Sequence, residues 1–147
     1  MRTGLAMLAL WALAACAGDS DMTTNPNTGE PETFDSQVAR GQQVYAANCA
    51  RCHGDSGQGT QMAPRVVGLD QGALPLKAPA ERKVRREDFL TVADVANFVV
   101  ANMPPDKPGS LPTADYWAVL AFDLKANGVT LERPLDLALA ESLTIPR

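Results

Sequence analysis

Cys49-Ala50-Arg51-Cys52-His53 reads C-x-x-C-H, and this run decides the fold. Two cysteines three residues apart on a helical turn project to the same side. Their sulfurs can form thioethers to two vinyl groups on one edge of a haem. The adjacent histidine then places its imidazole beneath the iron, and the pattern is that of a c-type haem attachment site. Three other readings use the same residues. A structural zinc site needs four ligands, usually including a second Cys or His pair. This chain has one histidine, His53, and its third cysteine is the distant Cys16. A thioredoxin-like dithiol opens a helix after a strand, whereas here a helical pattern precedes the motif. A plain disulfide leaves His53 and the glycines behind it without a role. Haem c is the favoured reading.

Working outward, Ser36 can cap a helix over 37–47, with Val38, Gly41, Val44 and Tyr45 on one side. Glycine inside a helix costs about 1 kcal/mol relative to alanine, so Gly41 suggests close approach of another helix. Downstream, Gly54-Asp55-Ser56-Gly57-Gln58-Gly59 is a glycine-rich turn. The stretch 62–80 is irregular, and such a stretch is unusual in a compact domain unless it wraps something. A second helix is expected over 92–102, with Thr91 and Asp94 as a capping box. A third is expected over 114–127, capped by Thr113 and stopped by Gly128. Its Trp117, Leu120, Ala121 and Leu124 share one face and read as core. The segment 129–147 should pack along the domain. No strand pattern stands out.

The N-terminal residues carry a different message. Arg2 is followed by an apolar run from Leu5 to Ala15, 11 residues by those bounds, too short to span a bilayer as a helix. It ends Leu13-Ala14-Ala15-Cys16, which resembles a bacterial lipoprotein signal in which the cysteine becomes the lipidated first residue. An ordinary secretory signal and an uncleaved anchor are the alternatives. Residues 17–33 hold four acids (Asp19, Asp21, Glu30, Glu32) and no base, and read as a flexible spacer. The expected organisation is a signal peptide over 1–15, a lipidated Cys16 and linker over 16–33, and one folded domain over 34–147. From Phe34 onward 12 bases face 13 acids, so no basic excess points to nucleic acid.

Two longer patterns resemble a class I c-type cytochrome. The first is Gly41-x-x-Val44-Tyr45-x-x-x-Cys49-x-x-Cys52-His53-Gly54-x-x-Gly57-x-Gly59. The second is Asn102-Met103-Pro104-Pro105 with Pro108-Gly109-Ser110-Leu111 and an aromatic-bearing helix after it. The single-haem domains that accompany periplasmic quinoprotein dehydrogenases are the nearest likeness. The resemblance implies an all-α fold in which N- and C-terminal helices cross, with Gly41 and Tyr45 meeting Tyr116, Trp117 or Leu120. It implies Cys49 and Cys52 as the covalent haem attachments and His53 as one axial ligand. Met103 is the expected second ligand, because proline after it forces an extended presentation. Met62 and a lysine are competitors. Met62 lies beside Pro64, whose carbonyl, by resemblance, orients the His53 ring, so it would sit on the wrong side. The tryptophan often found near the haem propionates is missing. In its place stand Lys77, Arg82, Lys83, Arg85 and Arg86 with Glu81, a solvated face or a site for a propionate or partner, with Arg65 as another propionate candidate.

Axial ligation by His53 and Met103 leaves the iron no open position. The implied function is one-electron transfer by a membrane-tethered carrier in the periplasm, not catalysis by the chain itself. A dedicated cytochrome subunit of a periplasmic quinoprotein-type dehydrogenase is the alternative, and a haem sensor a third. The implied partners are redox proteins (a dehydrogenase, an oxidase or another cytochrome) and, through Cys16, a lipid bilayer. Ala17 after the cysteine favours the outer membrane.

Overall fold

In a computed structural model of the chain, residues 24–25, 29–73, 77–78, 80 and 85–145 are described. Five α-helices follow in order: α1 Phe34–Asn48, α2 Ala50–His53, α3 Val92–Asn102, α4 Thr113–Ala126 and α5 Leu137–Ser142. Among the described residues there is no strand, only two isolated bridges, so the fold is all-α as expected. The predicted leader, Cys16 and the adjoining part of the linker lie outside the described residues.

α1 starts earlier than the sequence suggests. Thr33 is the N-cap and Ser36 sits at its third position, each side chain bonding the other's backbone N–H. That reciprocal pair satisfies two of the donors a helix start leaves open. α3 has the expected bounds, with Thr91 and Asp94 forming their capping box. Thr113 is the first residue of α4, not its cap; Pro112 precedes it without a side-chain cap. Gly128 stops α4 at φ 85, while Val129 N–H bonds back to the Leu124 carbonyl at 2.9 Å.

The crossing of α1 and α4 organises the domain. A Cβ placed on Gly41 would lie 1.9 Å from the Ala118 carbonyl oxygen and 2.9 Å from Phe122 Cβ. The helices therefore touch backbone to backbone at this point. Tyr45 stacks obliquely on Phe122, with ring centroids 5.2 Å apart. Tyr116, Trp117 or Leu120 was the expected partner; the atoms nearest Gly41 belong instead to Ala118 and Phe122, and the ring on Tyr45 is Phe122. The small Ala118 lets the helices close, and it puts Phe122, one turn on, over Tyr45. Trp117, Leu120, Ala121 and Leu124 instead face the main core with Phe34, Phe89, Val92 and Val95. Arg40 bonds Asp115 at 2.7 Å beside the crossing, both side chains largely buried.

The C-terminal segment closes that core. Gln37 of α1 is buried, and its amide both donates to the Leu135 carbonyl (2.9 Å) and accepts from the Leu135 N–H (2.7 Å). Both polar ends are thus satisfied without water. Leu135, Ala140 and Ile145 are buried, and α5, a helix the sequence did not announce, packs on α3.

Candidate haem-attachment site

α1 runs directly into the motif. Cys49 N–H bonds the Tyr45 carbonyl at 2.8 Å, and the short α2 carries Ala50 to His53. Cys52 and His53 N–H groups both return to the Cys49 carbonyl, at 3.0 and 2.9 Å. One turn therefore holds both cysteines and the histidine. Cys49 and Cys52 are free thiols, each half-buried. Tyr45 pins the end of the turn, its phenol donating to the Gly54 carbonyl at 2.8 Å.

The glycine-rich segment then folds back on the motif. Gly59 N–H bonds the His53 carbonyl at 2.7 Å, and the Thr60 hydroxyl donates to the Cys52 carbonyl. Gly59 sits at φ 82, and a Cβ there would come 2.7 Å from the Arg65 nitrogen. Only glycine combines that conformation with that approach. The return brings the Pro64 carbonyl oxygen to 2.7 Å from His53 Nδ1. A carbonyl can only accept, so Nδ1 is the donor and Nε2 is the nitrogen left for a ligand. A second clamp holds this loop to α4. The Asn127 amide donates to the Val66 carbonyl at 3.0 Å and accepts from Gly68 N–H at 2.8 Å.

Met103 is the C-cap of α3, half-buried, with extended backbone at φ −123 and ψ 144. The Tyr116 phenol donates to its carbonyl at 2.8 Å, and Pro104 behind it is buried. Met62, on the return loop two residues before Pro64, is 67% exposed. Of the basic cluster, Lys77, Arg85 and Arg86 are described. Arg85 is buried over the Phe89 ring at 4.0 Å and donates to the Lys77 and Glu87 carbonyls. Lys77 is exposed and pairs with Asp88 at 2.8 Å. Arg65 donates to the Val67 carbonyl at 3.0 Å. Glu81, Arg82 and Lys83 lie outside the described residues.

The chemistry of these groups fits a c-type haem. Burial, then the charges of Asp123 and Cys52, push the Cys49 thiol up to about 12. A redox-active dithiol requires the opposite shift, toward thiolate. No group of three or more His, Cys, Asp or Glu side chains able to hold a metal ion occurs among the described residues, so a zinc reading lacks ligands. What remains is two adjacent unpaired thiols beside an imidazole whose free nitrogen is set by a backbone carbonyl. Sequence reasoning missed Asn127, Gln37 and Asp123.

Comparison with known proteins agrees. Residues 36–122 match the family described as cytochrome C oxidase, cbb3-type, subunit III. The chain is 34% identical over 122 residues to a thiosulfate dehydrogenase of Stutzerimonas stutzeri (strain A1501), covering 79% of this chain and 34% of that one. It is 32% identical over 111 residues to a thiosulfate dehydrogenase of Thiomonas intermedia (strain K12), covering 76% and 32%. The chain thus spans about a third of the length of these relatives. The crystal structure of the sulfane dehydrogenase SoxCD from Paracoccus pantotrophus superposes with a TM-score of 0.56 at 26% identity, covering 95% of this chain and 68% of that one.

Proposed function

The chain belongs to the cytochrome C oxidase, cbb3-type, subunit III family and is an electron-carrying cytochrome with covalently bound haem c; from that premise we propose that it holds one haem, through Cys49 and Cys52. His53 and Met103 are the axial ligands in this reading. When bound, the haem takes up and passes on one electron at a time. The observation that carries the assignment is the 2.7 Å bond from His53 Nδ1 to the Pro64 carbonyl, which leaves Nε2 as the ligating atom. The Met103 carbonyl accepts from the Tyr116 phenol, which supports its role.

With both axial positions filled, substrate oxidation falls to another protein or domain. The relatives named as thiosulfate and sulfane dehydrogenases favour a sulfur-compound dehydrogenase as electron donor over a quinoprotein one. The chain then serves as that enzyme's electron-accepting cytochrome. Expressed with periplasmic maturation machinery, the protein should keep its haem through denaturing gel electrophoresis. Replacing both Cys49 and Cys52 by serine should remove haem staining entirely. Colourless wild-type protein with two alkylatable thiols at these positions would end the proposal.

Tethering is a separate part of this reading. The apolar run ending at Cys16 supports lipidation there, with the domain facing the periplasm and Ala17 favouring the outer membrane. Two or more acyl chains anchor stably where one does not. Cys16→Ser should move nearly all of the protein from the membrane to the soluble fraction. Unchanged membrane association of that variant would count against the anchor.

A further inference from the structure

We infer that Asp123 takes up a proton when the haem of this cytochrome takes up an electron. The inference rests on the proposed haem site and concerns a residue of α4 that this site does not use. Asp123 lies one residue past Phe122, which packs on Tyr45 at the helix crossing. Its Oδ1 is closed to solvent and has no hydrogen-bond partner. It lines a small cavity otherwise walled by aliphatic side chains, among them Val92 and Val95 of α3, Leu120 and Leu124 of α4, and Ile145 of the C-terminal segment. Asn127 is the other polar side chain there, but its amide is engaged by Val66, Gly68 and the Asp123 backbone carbonyl.

From α1, the titratable groups within electrostatic reach are Tyr45 and Cys49, and neither supplies a positive charge. The bases Arg40 and Lys125 pair elsewhere, with Asp115 and Asp35. A carboxylate with one oxygen sealed from water and unpartnered is costly, so the neutral acid is favoured. Burial alone accordingly pushes this carboxyl up to about 8. The residue as a whole keeps partial access to solvent, so water can supply the proton.

Asp123 adjoins Phe122, which packs on Tyr45, and Cys49, one of the two attachment cysteines, lies one turn beyond Tyr45 with its N–H on the Tyr45 carbonyl at 2.8 Å. A group at that place also senses the charge of the bound iron. Oxidised iron carries one more positive charge than reduced iron, and a nearby positive charge favours the carboxylate. Asp123 is therefore the stronger acid in the oxidised protein. One electron arrives from a reduced redox protein, and one proton passes from water to the Asp123 carboxylate, giving the neutral acid. Reoxidation returns both. By linkage the midpoint potential falls as pH rises between the two acid constants.

The test is a spectroelectrochemical titration of the full-length holoprotein from well below to well above pH 8. Haem propionates titrate too, so the decisive comparison is with Asp123→Asn. Wild type should lose about 59 mV in all, equivalent to a tenfold change in the acid constant for one electron. In Asp123→Asn that component should vanish while haem attachment and the sulfur-to-iron band persist. A wild-type protein with haem attached and the same pH profile as Asp123→Asn would overturn the coupling and leave the haem site standing. Protein without haem would overturn both. Should the variant not fold, the reduced-minus-oxidised infrared spectrum of wild type decides. A carboxylic-acid carbonyl band should appear on reduction and shift when aspartate is carbon-13 labelled, and an unshifted or absent band refutes the proposal.

Discussion

Gly41→Ala should cost the domain a substantial part of its stability. The added Cβ would stand 1.9 Å from a backbone carbonyl oxygen, that of Ala118, and 2.9 Å from Phe122 Cβ. A flexible side chain could move aside, but a helix backbone cannot without separating α1 from α4. Separation would also pull Tyr45 off Phe122 and stretch the Arg40–Asp115 pair, at 2.7 Å. Two effects oppose each other. Alanine gains about 1 kcal/mol over glycine in helix propensity. Overpacking costs about 1–3 kcal/mol, occasionally more, and an unyielding backbone partner puts this site at the upper end. Whole domains have about 5–15 kcal/mol, so the net loss is a large share. Chemical denaturation of the haem-loaded protein measures it, and Gly41→Leu should fail to accumulate as folded protein. A Gly41→Ala variant more stable than wild type would mean that the helices stand apart at this point.

The same crossing shows what the sequence could and could not say. The C-x-x-C-H run, the Thr91 and Asp94 capping box and the Met103–Pro104 stop are local patterns, and each maps to the expected element. The partner of Gly41 was not legible, because α4 buries two faces. Trp117, Leu120, Ala121 and Leu124 form the visible apolar stripe and do pack in the core. The crossing uses Ala118, whose small size is what matters and which no hydrophobic pattern marks. Gln37 and Asn127 were missed for another reason. Their amides reach across 98 and about 60 residues to bond backbone groups, and a lone amide carries no signal of such a partner. α5 is 6 residues long, too short for periodicity, although Asp136 capping the Leu139 N–H is a start signal in retrospect. Asp123 is a lone charge among apolar neighbours in the sequence; the cavity it lines is completed by Leu69 and Ile145 from distant parts of the chain.

Met103→Ala should abolish the sulfur-to-iron band at the red end of the oxidised spectrum, lower the midpoint potential and open the iron to added imidazole. The argument starts from the backbone. Met103 N–H makes the last bond of α3, to the Val99 carbonyl at 2.8 Å. Proline at 104 disfavours the α conformation for the residue before it, and Met103 is extended. Tyr116 then fixes its carbonyl at 2.8 Å and buried Pro104 fixes the chain beyond. A ligand held this firmly needs little ordering when it binds. Methionine opposite histidine raises the potential of a haem, so its loss lowers it. Met62 supplies the control. It is 67% exposed, and its N–H bonds the Thr60 hydroxyl within the turn that carries Pro64 to His53. In the proposed ligation that puts it on the His53 side, where Nε2 would serve the iron. Met62→Ala should leave the band and the potential unchanged and alter stability by no more than about 0.5 kcal/mol. Tyr116→Phe should act between these extremes, keeping the band but weakening it against imidazole, since only the carbonyl anchor is lost. If Met62→Ala removes the band and Met103→Ala spares it, the ligand is Met62 and the haem attachment at Cys49 and Cys52 is untouched.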